Sequence, residues 1–138
     1  MNLHHNQNHT KEQICVVLKT IKDCIHKDHY IISKNENRQE NIDFIKEYNL
    51  ITKKQKNILM KIGPEDFCHT LQNTNSGFEH EVLYVFCPQV MLYTFDEGKE
   101  LVDIYIKFNI INVTLGNRVV VISFHKRNKP IDYLFRRV

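Results

Sequence analysis

The sequence predicts an α+β domain in which N-terminal helices pack on one face of a mostly antiparallel sheet. Three observations carry that prediction. Apolar residues recur at helical spacing through the first half, they alternate at period two in the second, and Leu115-Gly116-Asn117 offers a turn between the two best strands. Helices first and consecutive antiparallel strands afterwards make a two-layer fold, and leave the far face of the sheet open.

Residues 1–9 are polar and His-rich, and are expected to form a disordered tail ahead of a single domain over residues 10–138. From Thr10, the residues Ile14, Val17, Leu18, Ile21 and Ile25 mark an amphipathic helix to about Lys27, with Lys11, Lys19 and Lys22 on its outer face. Tyr30 to Ser33 is a short apolar run that suits an edge strand. Asn37 to Tyr48 reads as a second helix with Ile42 and Ile45 inward. Thr52 as N-cap, with Gln55 three residues on, starts a third that buries Ile58, Leu59 and Ile62 before Gly63-Pro64 stops it. Strands are then expected over Phe67 to Asn73 and Glu81 to Cys87. Asn73 to Gly77 reads as a loop and Asp96 to Lys99 as a turn.

The next two strands carry the chemistry. From Asp103 to Ile110 the residues alternate strictly, with Asp103, Tyr105, Lys107 and Asn109 on one side and Ile104, Ile106, Phe108 and Ile110 on the other. Val120, Ile122 and Phe124 repeat the apolar row, and Ser123 and His125 fall opposite. Gly116 and Asn117 both tolerate positive φ, so a hairpin is the natural connection. Burial of the apolar rows requires odd residues to pair with odd ones. Tyr105, Lys107 and His125 then share one surface, with neighbours roughly 5 to 8 Å apart.

Those groups suit metal-free RNA cleavage. A base must take the ribose 2′-OH proton, cations or donors must stabilise the phosphorane, and an acid must protonate the departing 5′-oxygen. His125 can serve as base or acid because imidazole changes charge near neutral pH, Lys107 supplies a fixed charge, and Tyr105 can donate to a phosphoryl oxygen or stack on a base. His69 is a candidate second imidazole if its strand lies beside the hairpin. Lys126, Arg127, Lys129, Arg136 and Arg137 follow His125, and of these Lys126, Arg127 and Arg136 are expected to guide RNA phosphates. Ile131, Tyr133, Leu134 and Phe135 suggest that this basic tail folds back onto the core. The same pattern also describes an ordinary solvated strand face. Two rival readings therefore stand beside the nuclease: a non-catalytic RNA- or protein-binding module using this face, and a structural subunit of another complex.

Composition narrows the field further. A chain of 138 residues, 42% hydrophobic and 25% charged, is one ordinary globular domain. No apolar run approaches the roughly 20 residues that cross a bilayer, so no membrane segment is expected. A polar N-terminus without an apolar core points to no signal peptide and a cytoplasmic protein. Cys15, Cys24, Cys68 and Cys87 contain no C-x-x-C pair and read as packed thiols. His4, His5 and His9, or His26 and His29, have no completing ligand pair downstream, so neither metal nor cofactor is expected. P-loop, G-x-G-x-x-G and G-x-S-x-G signatures are absent from the sequence.

Four stretches also resemble a known family. Glu65-Asp-Phe-Cys-His69, Tyr84-Val-Phe-Cys-Pro88, Tyr105-Ile-Lys-Phe108 and Val121-Ile-Ser-Phe-His125 occur in the order and at the spacing of the motility quorum-sensing regulator (MqsR) family of toxins. The resemblance spans about residues 10–126 and is specific in its second half. It implies a RelE-like fold and a ribosome-independent mRNA interferase that arrests growth. It also implies mRNA as substrate and a cognate DNA-binding antitoxin as partner in a type II operon. Tyr105 matches the family's active-site tyrosine. His125 stands where the family has lysine after Ser-Phe, His69 where it has lysine after Asp-Phe-Tyr, and the family's glutamine falls near Leu83.

Overall fold

A computed structural model of the chain describes residues 5–35, 38–74, 76–114 and 116–136. It is α+β. Among these residues, α1 (Lys11–His26), α2 (Gln39–Glu47) and α3 (Thr52–Met60) pack on one face of a six-stranded mixed sheet. The strands are β1 (Tyr30–Ile32), β2 (Phe67–Gln72), β3 (Val82–Phe86), β4 (Gln89–Tyr93), β5 (Lys99–Val113) and β6 (Gly116–Lys126). The order is β1-β6-β5-β3-β2, with β4 paired to the first half of β5. Only β1 runs parallel to its neighbour, β6; the other pairs are antiparallel.

Local sequence explains most boundaries. Thr10 caps α1 through a reciprocal capping box with Gln13. Its buried stripe, Ile14, Leu18, Ile21 and Ile25, lies in the main core with Phe44, Leu59, Phe86, Ile104, Ile106, Phe108 and Phe124. Three expectations are corrected. The inward face of α2 is centred on Asn41, Phe44 and Tyr48, with Ile45 packing at its edge as expected and Ile42 outside the core, because the buried Asn41 amide bonds the sheet backbone. Ile51, not Thr52, is the N-cap of α3, and buried Gln55 donates to the Leu50 carbonyl instead of closing a capping box. Strand β4 was not expected, since its outward residues Met91 and Tyr93 are apolar too and blur the alternation.

A further correction concerns β6. Val119 and Val121 are buried there, and of the expected row Val120, Ile122 and Phe124 only Phe124 is. A β-bulge is the cause. Tyr105 faces His125 and Lys107 faces Ser123, then the register shifts so that Phe108 faces Val121. The extra residue, Ile122, reverses the parity of everything before it on the strand. Odd-to-odd pairing therefore holds at Tyr105, Lys107 and His125, where the candidate site lies.

The far face of the sheet is partly covered. Ile131 and Tyr133 pack on a small cluster of Cys68, Val85 and Cys87, and Leu134 and Phe135 reach the main core, so the C-terminal segment does fold back. The Tyr133 hydroxyl donates to the Cys87 carbonyl at 2.6 Å. Part of the segment expected as a tail is docked as well. Asn6 pairs with Thr70 of β2 through both backbone hydrogen bonds, and Gln7 Nε2 donates to the Cys68 carbonyl. Residues 1–4, with His4, Asn37, Leu115 and Arg137 lie outside the described residues.

Candidate active site

One rung of the sheet runs His69, Val85, Lys107, Ser123 across β2, β3, β5 and β6. The next pairs Tyr105 with His125, whose rings stack with centroids 5.5 Å apart and planes 20° apart. Strands are about 4.8 Å apart, so His69 is two strand steps from Lys107 while Tyr105 and His125 are one apart. All four side chains nevertheless line a single cleft of about 710 Å³. The C-terminal segment from Asn128 to Asp132 forms one wall of it, and Arg38 and Glu40 at the start of α2 form another.

Each group has a distinct electrostatic state. His125 Nδ1 lies 2.8 Å from the Lys126 carbonyl, which can only accept, so Nδ1 carries the proton and Nε2 is the basic nitrogen. Glu40 Oε2 stands 3.7 Å from the same Nδ1, an ion-pair distance once the ring is charged. Tyr105 is pushed up to about 12 by burial, which keeps it a hydrogen-bond donor. Burial, helped by Arg38 and Lys129, holds the Lys107 ammonium below its ordinary value. His69 is lowered to about 4, first by burial and then by the charges of His5 and Lys107. It is therefore a neutral ring. His5 stacks on it at 3.6 Å, and the His69 Nε2 has no hydrogen-bond partner among the described residues.

The three residues expected to guide phosphates lie elsewhere. Lys126 pairs with Ile104 across the hairpin, on the helix side, where Glu47, Glu100 and the Tyr48 ring hold its ammonium. Arg127 is bound to Asp103. Arg136 lies over the Tyr133 ring and pairs with Asp66 at 2.8 Å. The cations that do line the cleft with Lys107 are Arg38 and Lys129, and none of the three is in an ion pair with a described residue. Sequence reasoning missed Arg38 because its place depends on how α2 docks on β6. Lys129 had a weak signal, the Pro130 that turns the tail back.

No group of three His, Cys, Asp or Glu residues able to hold a metal ion occurs among the described residues. The four cysteines are unpaired, with Cys68, Cys87 and Cys24 buried. No helix among the described residues is long and apolar enough to cross a membrane. The chain matches no protein-family model, no curated protein and no solved structure.

Proposed function

We propose that this protein is a metal-independent endoribonuclease of the RelE-like, MqsR-type class, the toxin of a type II toxin–antitoxin pair, acting on single-stranded mRNA in the cytoplasm. The observation that carries the reading is the meeting of Tyr105, Lys107 and His125 in one cleft whose cations Lys107, Arg38 and Lys129 lack counter-ions among the described residues. The stretches that resemble the toxin family end in or run along β2, β3, β5 and β6, which are consecutive in the sheet. A DNA-binding antitoxin as partner rests on that resemblance alone.

The chemistry follows from the state of each group. His125 Nε2 takes the 2′-OH proton as the 2′-oxygen attacks phosphorus. The Tyr105 phenol donates to a phosphoryl oxygen, and the Lys107 and Arg38 charges stabilise the phosphorane. The bond to the 5′-oxygen breaks, and the Lys107 ammonium, whose lowered pKa makes it a better acid than a free lysine, returns a proton there. Products are a 2′,3′-cyclic phosphate and a 5′-hydroxyl. His69, neutral, buried and covered by the His5 ring, packs beneath the cleft instead of shuttling protons.

The test is cleavage of a labelled message in EDTA by the parent, His125→Ala and Tyr105→Ala. The expected result is cyclic-phosphate ends from the parent alone, with RNA binding kept in both variants. A parent that binds RNA and never cuts it is the binding module of the rival reading.

A further inference from the structure

A second chamber adjoins the cleft. It has a volume of about 690 Å³ and shares Arg38, Leu71 and Lys107 with the cleft, so the two form one groove with two cations at its waist. Its size is within the range of small-ligand sites, about 300–1,000 Å³. Its character differs from the cleft's: no carboxylate lines it among the described residues, and Asn6, Gln72 and Asn73 bring side-chain amides. We infer that this chamber holds one base of a single-stranded RNA, one nucleotide beyond the two that flank the scissile phosphodiester, and reads its edge with those amides, with Arg38 and Lys107 at the waist between that base and the scissile phosphate.

The walls are built in advance. His9 is fixed from two sides, with Nε2 3.0 Å from Thr70 Oγ1 and its ring edge-on to Phe67. Asn73 Nδ2 donates to Glu81 Oε1 at 2.9 Å, tying the start of the loop after β2 to the residue before β3. The docked residues Asn6 and His9 thus become part of a binding surface. An amide presents both a donor and an acceptor to a base edge. A phosphate near the waist would meet Arg38 and Lys107, where burial and then repulsion from Arg38 already lower the Lys107 pKa.

The inference rests on the RNA reading above, and the test separates the two. Labelled 2′-fluoro oligonucleotides, which lack the nucleophile, are titrated by anisotropy as dimers, trimers and tetramers. The parent is expected to gain about tenfold in affinity at one added nucleotide, roughly the size of one bound base. Val82→Trp fills the chamber and Gln72→Ala removes an amide; both positions are exposed, so parent-like melting is expected. Each is expected to erase the length step and leave dimer binding unchanged, with Gln72→Ala also levelling the preference among the four bases. Absence of the step in the parent, or its survival in both variants, overturns the chamber. A parent that shows the step but never cuts unmodified RNA keeps the chamber and removes the nuclease, and one that cuts without a step does the reverse. Failure to bind any RNA removes both.

Discussion

His69 is 2% exposed and its Nε2 has no partner among the described residues, so its desolvation is uncompensated in the free protein. That has a pH signature. The folded pKa is about 4 against an ordinary 6.5, so above pH 6.5 the ring is neutral in both states and contributes nothing. Between pH 6.5 and 4 the unfolded chain binds a proton that the folded one refuses, and stability falls as pH falls. The loss levels off below pH 4, at on the order of 3 kcal/mol. Urea unfolding of the parent and of His69→Gln at pH 7 and pH 4.5 checks this: the variant is expected to lose less on acidification, and equal losses would show that His69 titrates normally. Lys107 makes a different demand. Lys107→Arg keeps the charge but cannot release a proton, so it is expected to bind RNA and cut it 10²-fold or more slowly, roughly the weight of one general acid. Lys107→Gln is expected to lose both affinity and rate. Single-turnover rates beside binding constants distinguish the two, and a Lys107→Arg enzyme at parental rate would remove the ammonium from the proton path.

The bulge at Ile122 is held by α2. Asn41 Nδ2 donates to the Ser33 and Ile122 carbonyls at 2.9 Å each, and its Oδ1 accepts from the Phe124 amide at 2.8 Å. One buried side chain thus satisfies the backbone on both sides of the extra residue, next to His125. Asn41→Ala strands that backbone polarity and is expected to cost about 2–4 kcal/mol. With its bulge loosened, β6 should also move the His125 ring, so the variant's cleavage rate should fall although Asn41 touches no substrate. A stable variant with parental activity would show that the bulge is held by other means. This is also where the sequence stops being legible. The alternation of β5 places Tyr105 and Lys107 on one face with no further information, and Phe124 fixes the parity of His125. A bulge needs one residue more than the pattern shows, and its cause, Asn41, is about eighty positions away on a helix whose apolar residues suggested a different inward face. Strand β4 was hidden for a related reason: exposed Met91 and Tyr93 erase the contrast on which period-two reading depends.

At the scale of the whole molecule, the formal charge of +3 says little, and which cations are already neutralised says more. A basic run after His125 looked in the sequence like a phosphate track. Folding spends most of it on structure, with Lys126 on Glu47, Arg127 on Asp103 and Arg136 on Asp66. Among the described residues, the cations left unpaired on the open face are Arg38 from the start of α2, Lys107 from β5 and Lys129 from the returning tail, three segments that only the tertiary fold brings together. If RNA lies along this groove, its phosphates meet those three charges and not the others. Counterion release then makes the slope of log affinity against log salt a count of contacts, at about 0.7 per phosphate for a single strand. Arg38→Gln and Lys129→Gln are each expected to lower that slope by about 0.7, whereas Lys126→Gln and Arg136→Gln leave it at the parental value even where they reduce stability. Titrations of one non-cleavable oligonucleotide over a range of salt concentrations give all four numbers. The reverse pattern would move the nucleic acid off the Tyr105–His125 face, because an ammonium already bound to Glu47 can serve a phosphate only by breaking that pair.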